Sequence, residues 1–332
     1  MFFLNLYDRL KSKLKKGGWA GLFITFRDRI NNRFDSPGDF FRPTINEKHF
    51  LITLKEIIFF KRKLESKRKY KKLNLTNEGT LRMDSSKGYL HLPEGFLNYS
   101  SSLRKHILEK YNINYLLDNL SEVGENYPGI AGKRSPIINL VQDLYGDDLL
   151  LKYVTDASML RIIARYLKSY PWLYSCDLWI SNENENKTGT SQNFHMDWED
   201  RKIVKVLFFL GDIDNETGPL SLIDAENTKK VINDLKSSYK KNIVSQRLSD
   251  EIVFNTVGED KLLKAVGKKD DIFMVDTCNV LHYGSRKSSK PRLMLSCMYA
   301  SPFSLNTWSK PKHRNKKPFP NQLNKKDWVV WD

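Results

Sequence analysis

Phe194–His195–Met196–Asp197–Trp198 opens a stretch that continues, after a charged turn, as Ile203–Val204–Lys205–Val206–Leu207–Phe208–Phe209–Leu210. The second half is β-branched, aromatic or leucine at every position but Lys205, which reads as a strand buried on both faces. The first half is extended too. Side chains on an extended chain alternate with a period of two, so His195 and Asp197 project from one side and can reach a single metal ion. A lone strand histidine is more often a hydrogen-bonded core residue, and His-x-Asp by itself is a weak signal. Far downstream, His282 lies at the edge of another strand-like run, and Arg292 follows ten residues later. The chain has six histidines, and two fall in these two places.

The residue types fit one chemistry. Two neutral imidazoles and a carboxylate form a three-ligand face that leaves half of an octahedral ion open, the pattern of non-haem Fe(II) oxygenases. A 2-oxo acid fills two of the open positions and O2 the third, with decarboxylation driving oxidation of a C–H bond. The far carboxylate of that acid needs a fixed cation, and the planar fork of Arg292 suits it. Arg286 is a nearer rival, but its Ser/Lys-rich loop favours a solvent-facing role. Asp197 leaves no position for a halide, which argues for hydroxylation or desaturation over halogenation. Gln192 and Trp198 flank the first ligands and suit a substrate-pocket lining, Trp198 being equally suited to packing, with Tyr283 and Trp179 as weaker members of that set.

Outward from these residues, the chain divides by composition. From Trp172 onward the runs are short and strand-like: Leu178–Ile180, Ile203–Leu210, Leu220–Ile223, Ile272–Val275 and Arg292–Tyr299, with a helix inserted at Glu226–Tyr239 and a polar excursion over 240–270. Before them lie helical segments: Ile45–Leu73, Ser101–Leu120, Ile137–Tyr145 and Ala157–Tyr170. Helices first and strands later predict an α+β fold, mainly β, with a double-stranded β-helix (jelly roll, cupin-like) core and a helical buttress on one face. The expected organisation is a basic, largely helical extension over 1–80, the jelly-roll domain over 81–308 and a basic tail over 309–332.

Charge follows the same division. The net +16 is carried by the ends: residues 1–80 hold 19 Lys/Arg against 8 Asp/Glu, residues 309–332 hold 7 against 2, and residues 81–308 balance at 29 against 29. A neutral body gives no nucleic-acid signal. The basic ends suit an anionic membrane or polymer surface, although such runs are more often solvated helix faces. Phe2, Phe3, Leu6, Leu10 and Leu14 recur at helical spacing among basic residues before Gly17–Gly18, and Ser36–Asp39 reads as a turn. No apolar run approaches the ~20 residues that span a bilayer. No signal peptide is evident, and Cys176, Cys278 and Cys297 form no pairing pattern, Cys278 and Cys297 lying in apolar contexts that suit buried reduced thiols, so the expectation is a cytoplasmic protein that can also be membrane-peripheral.

The segments Phe194–Leu220 and Asp271–Gly284, together with Lys290–Pro291–Arg292, resemble the phytanoyl-CoA dioxygenase family, and the similarity extends in order and spacing over residues 85–305. The resemblance implies Fe(II) ligation by His195, Asp197 and His282, binding of 2-oxoglutarate by Arg292, and an accessory role for Lys205 toward a carboxylate. It also implies a small-molecule substrate, which it leaves unidentified. Gly218–Pro219–Leu220 matches a family turn, whereas Ile223–Asp224–Ala225–Glu226 departs from the Gly-Ser-His expected after it. Two other readings stay open: a non-catalytic jelly-roll binding module tethered by its basic ends, and hydrolysis at a Zn site, which lacks an obvious general base.

Overall fold

Strands Ile203–Phe209 and Arg292–Ala300 pair along their whole shared length and make the spine of the fold. The structure, a computed structural model, describes residues 45–73, 75, 81–118, 137–140, 143–181, 192–239, 247–286 and 288–305. The expected amphipathic segment near the start, the turn at Ser36–Asp39 and the tail beyond Trp308 lie outside these residues.

In chain order the elements are α1 (Ile45–Ile58), α2 (Phe60–Lys72), β1 (Tyr89–Leu92), α3 (Ser100–Lys110), α4 (Ile113–Asp118), β2 (Ile137–Asn139), α5 (Asp148–Val154), α6 (Ala157–Leu167) and β3 (Trp172–Ser181). They continue with β4 (Ile203–Phe209), β5 (Ser221–Ile223), α7 (Ala225–Tyr239), α8 (Asp250–Val257), β6 (Leu263–Lys264), β7 (Ile272–Val275), β8 (Leu281–Tyr283) and β9 (Arg292–Ala300). A six-stranded sheet runs β1-β7-β4-β9-β3-β2 and a three-stranded sheet runs β6-β5-β8, all pairs antiparallel. From β4 onward the chain passes from the large sheet to the small one and back, β7 to β8 to β9 alternating between them. That is the expected jelly-roll core within an α+β fold.

The two faces of the large sheet bury different things, because alternate residues of each strand go to opposite sides. Val204, Val206 and Phe208 of β4 join Leu295, Cys297 and Tyr299 of β9 in a core shared with Leu103 and Ile107 of α3, Leu150 and Tyr153 of α5, and Met159 and Ile163 of α6. This is the helical buttress. Two carboxylates set its helices. Asp156 caps α6 by accepting from the N–H groups of Ser158 (2.9 Å) and Met159 (3.1 Å). Asp147 caps α5 by accepting from Leu150 N–H at 2.9 Å and also accepts from Lys110 Nζ at 2.8 Å, tying α3 to α5. On the opposite face, Leu207 and Phe209 pack with Phe273, Val275, Met294 and Leu222 between the sheets.

Several segments depart from the sequence reading. The helix expected over Ser101–Leu120 breaks at Asn112, whose φ of +46° ends α3, and Ile137–Tyr145 forms an edge strand and a 3-10 turn in place of a helix. Its first three residues find open backbone partners along β3, and a ladder outweighs local propensity. The region 1–80, expected as an extension, is docked where it is described. Ile52 of α1 packs with Phe303 and Leu305, Lys55 Nζ donates to Ser304 O at 2.5 Å, and Arg62 of α2 lies 5.1 Å over the Trp172 ring. Cys176, Cys278 and Cys297 are buried free thiols, and Cys297 Sγ donates to Cys176 Sγ at 3.5 Å.

Candidate metal centre

His195 and His282 face each other across an antiparallel bridge. Each donates its backbone N–H to the other's carbonyl, at 3.0 and 2.9 Å. The pairing puts both side chains on one side, with ring centroids 4.3 Å apart. Asp197, two residues on, returns to that side and is fixed by its own N–H donating to Thr277 O at 2.7 Å. Among the described residues these three form the group able to hold a metal ion, their ligand atoms within 4.8 Å of one another. His282 Nε2 lies 4.0 Å from Asp197 Oδ1. Bonds of ~2.1 Å to one ion bring neighbouring ligand atoms to about 3 Å, so the side chains would draw in by about an ångström on loading.

Hydrogen bonding fixes which atoms face the centre. His195 Nδ1 lies 2.9 Å from Asn193 O, and His282 Nδ1 lies 3.1 Å from Val280 O. A carbonyl only accepts, so both Nδ1 atoms carry the proton and both Nε2 atoms keep a lone pair for a metal. Burial depresses both imidazoles, His282 to about 3, and keeps them neutral at pH 7. Asp197 is held the same way: Oδ2 accepts from Thr277 Oγ1 at 2.5 Å and pairs with Lys205 Nζ at 2.7 Å, which leaves Oδ1 toward His282. Burial alone would raise the Asp197 pKa, but the Lys205 charge and then His282 overcome it and hold the carboxyl well below its usual range. Burial likewise works against the Lys205 ammonium, and Asp197 with Glu199 more than offsets it. Glu199, one of whose carboxylate oxygens is buried without a hydrogen bond, is pushed up to about 7 by burial and by Asp197.

Lys205 is therefore paired with a candidate metal ligand, whereas the resemblance implies an accessory role toward a co-substrate or substrate carboxylate. Thr277 was not read from the sequence, because its contact with Asp197 spans 80 residues. The turn that carries it is built on fully buried Asp276, which accepts from Tyr166 Oη at 2.7 Å, Asn279 Nδ2 at 2.8 Å and the N–H groups of Cys278 and Ile203 at 3.1 and 3.2 Å. The polar run Asp276–Thr277–Cys278–Asn279 was its one visible signal.

Arg292 stands apart from the three candidate ligands. It is 4% exposed and projects from β9 on the inter-sheet side, the side that also carries Met294 and Lys205. Register puts it six positions along β9 from Met298, the partner of Lys205, so the two cations enter the inter-sheet space from opposite ends. Arg292 Nη1 donates to Gly218 O at 2.7 Å and Nη2 to Ser181 Oγ at 3.3 Å, while Nε is buried without a partner. No carboxylate pairs with it among the described residues, and burial lowers its pKa to about 10, still charged at pH 7. Gly218 suits this contact: at φ +66° an added Cβ would meet Ser285 Oγ at 2.1 Å.

The expected pocket-lining residues are placed otherwise. Tyr283 is adjacent to His282 and so faces the other way, stacking edge-on against Phe194 at 4.9 Å in a cluster with Leu235 and Val253 of α7 and α8. Trp198 packs with Ile52 and Phe303 under α1. Gln192 Nε2 donates to Ser285 O at 3.1 Å, stitching the loops on either side of the site. Arg286 is not solvated either. It donates to both oxygens of Asp250 (2.9 and 2.7 Å) and lies 3.5 Å over the Tyr283 ring. Trp179 shares the inter-sheet cluster with Met294, next to Arg292 in register, and its indole Nε1 is buried without a partner.

No family model matches the chain, the phytanoyl-CoA dioxygenase family included, and no curated protein matches it. Solved structures do. One is EctD from S. alaskensis in its apoform (14% identity, 68% of this chain and 79% of that one, TM-score 0.46). Another is the epimerase SnoN in complex with Fe3+, alpha ketoglutarate and nogalamycin RO (14% identity, 71% and 90%, TM-score 0.43). A third is HygX from Streptomyces hygroscopicus with nickel and 2-oxoglutarate bound (14% identity, 66% and 84%, TM-score 0.42). With TM-scores below 0.5 these neighbours carry no weight for the chemistry of this chain, which rests on the geometry above.

Proposed function

We propose that this protein is an Fe(II)- and 2-oxoglutarate-dependent oxygenase that oxidises a C–H bond of a small or medium organic substrate, 2-oxoglutarate being decarboxylated to succinate. The observation that carries the reading is the pairing of two features: a His195–Asp197–His282 set whose ligand atoms lie within 4.8 Å of one another, and a buried guanidinium with no counter-ion among the described residues. The donor set suits a ferrous ion, since two neutral imidazoles and one carboxylate bind without saturating it. The orphaned Nε of Arg292 and its uncompensated charge suit a carboxylate, and a diacid co-substrate supplies one. When bound, Fe(II) supplies oxygen activation.

The protein's own residues do the rest. Asn193 O and Val280 O hold the two imidazoles in the ligating tautomer. Thr277 and Lys205 occupy one oxygen of Asp197, so the carboxylate presents the other. Arg292, steadied by Gly218 and Ser181, grips the distal carboxylate and orients the co-substrate. The apolar residues between the sheets exclude water from this end. The family resemblance points the same way, toward a phytanoyl-CoA dioxygenase-like enzyme. The test is succinate formation from 2-oxoglutarate with added Fe(II). Turnover that disappears in Asp197→Ala and falls steeply in Arg292→Met is expected. A chain that binds neither Fe(II) nor 2-oxoglutarate would be a binding module and would end this reading.

A further inference from the structure

The helical arm α1–α2 carries a surface that its docking does not use. Among the described residues, eight large apolar side chains are exposed, and five of them lie between positions 50 and 64: Phe50 (62%), Ile57 (66%), Ile58 (42%), Phe60 (58%) and Leu64 (39%). Scattered exposed apolar residues need no explanation, but a group does. Phe50, Ile57 and Ile58 share one face of α1 by helical spacing, and Phe60 and Leu64 are one turn apart on α2. The helices run on through Phe59: its N–H donates to Lys55 O at 2.9 Å, and its carbonyl accepts from Lys63 N–H at 3.0 Å. The opposite side of the arm holds buried Lys48, Ile52, Lys55 and Ser66 and faces the body.

Along α2 the exposed face then turns cationic. Lys61, Lys67, Arg68, Lys71 and Lys72 are exposed against a single exposed acid, Glu65, which lies 3.0 Å from Lys69. Apolar side chains next to a row of cations are the two halves of an interfacial membrane contact. The chemistry also decides among occupants. A second copy would set two such cationic faces together. The apolar stripe of residues 2–14 is interleaved with Arg9, Lys11, Lys13, Lys15 and Lys16, so it meets the same repulsion. An anionic bilayer complements both halves, and it would take that N-terminal stripe as well.

We propose that the α1–α2 arm is a peripheral docking surface for bilayers rich in anionic lipid, with Phe50, Ile57, Ile58, Phe60 and Leu64 entering the acyl boundary and the α2 cations meeting headgroups. The proposal is independent of the metal centre. Co-sedimentation of the full chain with vesicles tests it, using phosphatidylcholine alone and phosphatidylcholine mixed with phosphatidylserine. Pelleting only with the mixed vesicles, weakened by salt, is expected. The variants Phe50→Ser/Ile57→Ser/Phe60→Ser and Lys67→Glu/Arg68→Glu/Lys71→Glu should each lose on the order of a hundredfold in partitioning. Leu81→Ser/Val266→Ser removes exposed apolar groups elsewhere and should change nothing, with circular dichroism showing all variants folded. Three results overturn the proposal: no pelleting with anionic vesicles, pelleting unchanged in the arm variants, or a native dimer that the Phe50/Ile57/Phe60 variant makes monomeric.

Discussion

The two faces of the six-stranded sheet are made by the same strands and both bury apolar residues, but one of them also encloses two cations. On the helix side, Val206, Phe208, Leu295, Cys297 and Tyr299 are apolar or carry one satisfied group, as when Tyr299 Oη donates to Val154 O at 2.8 Å. On the inter-sheet side, the same strands present Lys205 and Arg292, two cations that apolar residues of similar volume could replace at little cost or with a gain in stability. The first face is given over to packing. The second keeps costly groups, and costly buried groups point to chemistry.

That contrast can be broken by substitution, starting with the largest effect. Phe208→Ala opens a cavity on the helix side and should destabilise by about 3–5 kcal/mol in urea unfolding. Arg292→Met, on the other face of the same sheet, should change stability by less than ~1 kcal/mol or raise it, while steeply weakening 2-oxoglutarate binding in calorimetry. Equal losses from the two substitutions would show that Arg292 serves the fold. Next comes Asp197→Ala, which strands the Lys205 ammonium and should cost about 3 kcal/mol. Adding Lys205→Met should recover most of that loss without restoring metal binding. Recovery of neither would mean that the pair is not the relevant interaction.

How much of this contrast could be read from the sequence depended on range. Period-two alternation predicted the His195 and Asp197 pair correctly as neighbours, and the long apolar runs predicted β4, β7 and β9. The same alternation, applied to His282, would have turned Tyr283 away from the site; proximity in sequence was followed instead. The partner of Lys205 was invisible for another reason. A strand lysine facing a partly buried carboxylate looks like one facing solvent until register is known. The clamp from Thr277 and the docking of Lys55 on Ser304 are tertiary contacts 80 and 249 residues apart, and no local pattern encodes them.

Smaller effects sharpen the account of the site itself. Thr277→Val removes one of the two groups on Asp197 Oδ2 and should weaken Co(II) affinity by roughly tenfold while shifting stability by less than ~1 kcal/mol. Rescue by Ser would assign the loss to the hydroxyl. The pH response is the mildest test. Burial lowers the pKa of both histidines, so the unfolded chain takes up protons first as pH falls through the ordinary histidine range of about 6.5, and folding stability declines there. In protein that remains folded, protons compete with metal at His282 only near its own value of about 3, and at His195 below the ordinary histidine range. Co(II) affinity should therefore fall less steeply between about pH 6.5 and about pH 5.5 than that of a solvated histidine pair, which would lose about a hundredfold per unit below its pKa, one factor of ten for each ligand.

The central claim is that His195, Asp197 and His282 act as one open-sided ligand set with Arg292 holding the co-substrate. Anaerobic titration of the full chain with Fe(II) in the presence of 2-oxoglutarate, followed by the visible charge-transfer absorption of the chelate, addresses it directly. One ion per chain is predicted, with the band appearing only when both components are present, absent in His282→Ala and requiring far more 2-oxoglutarate in Arg292→Met. A chain that develops no band, or one whose band survives in His282→Ala, would contradict the account.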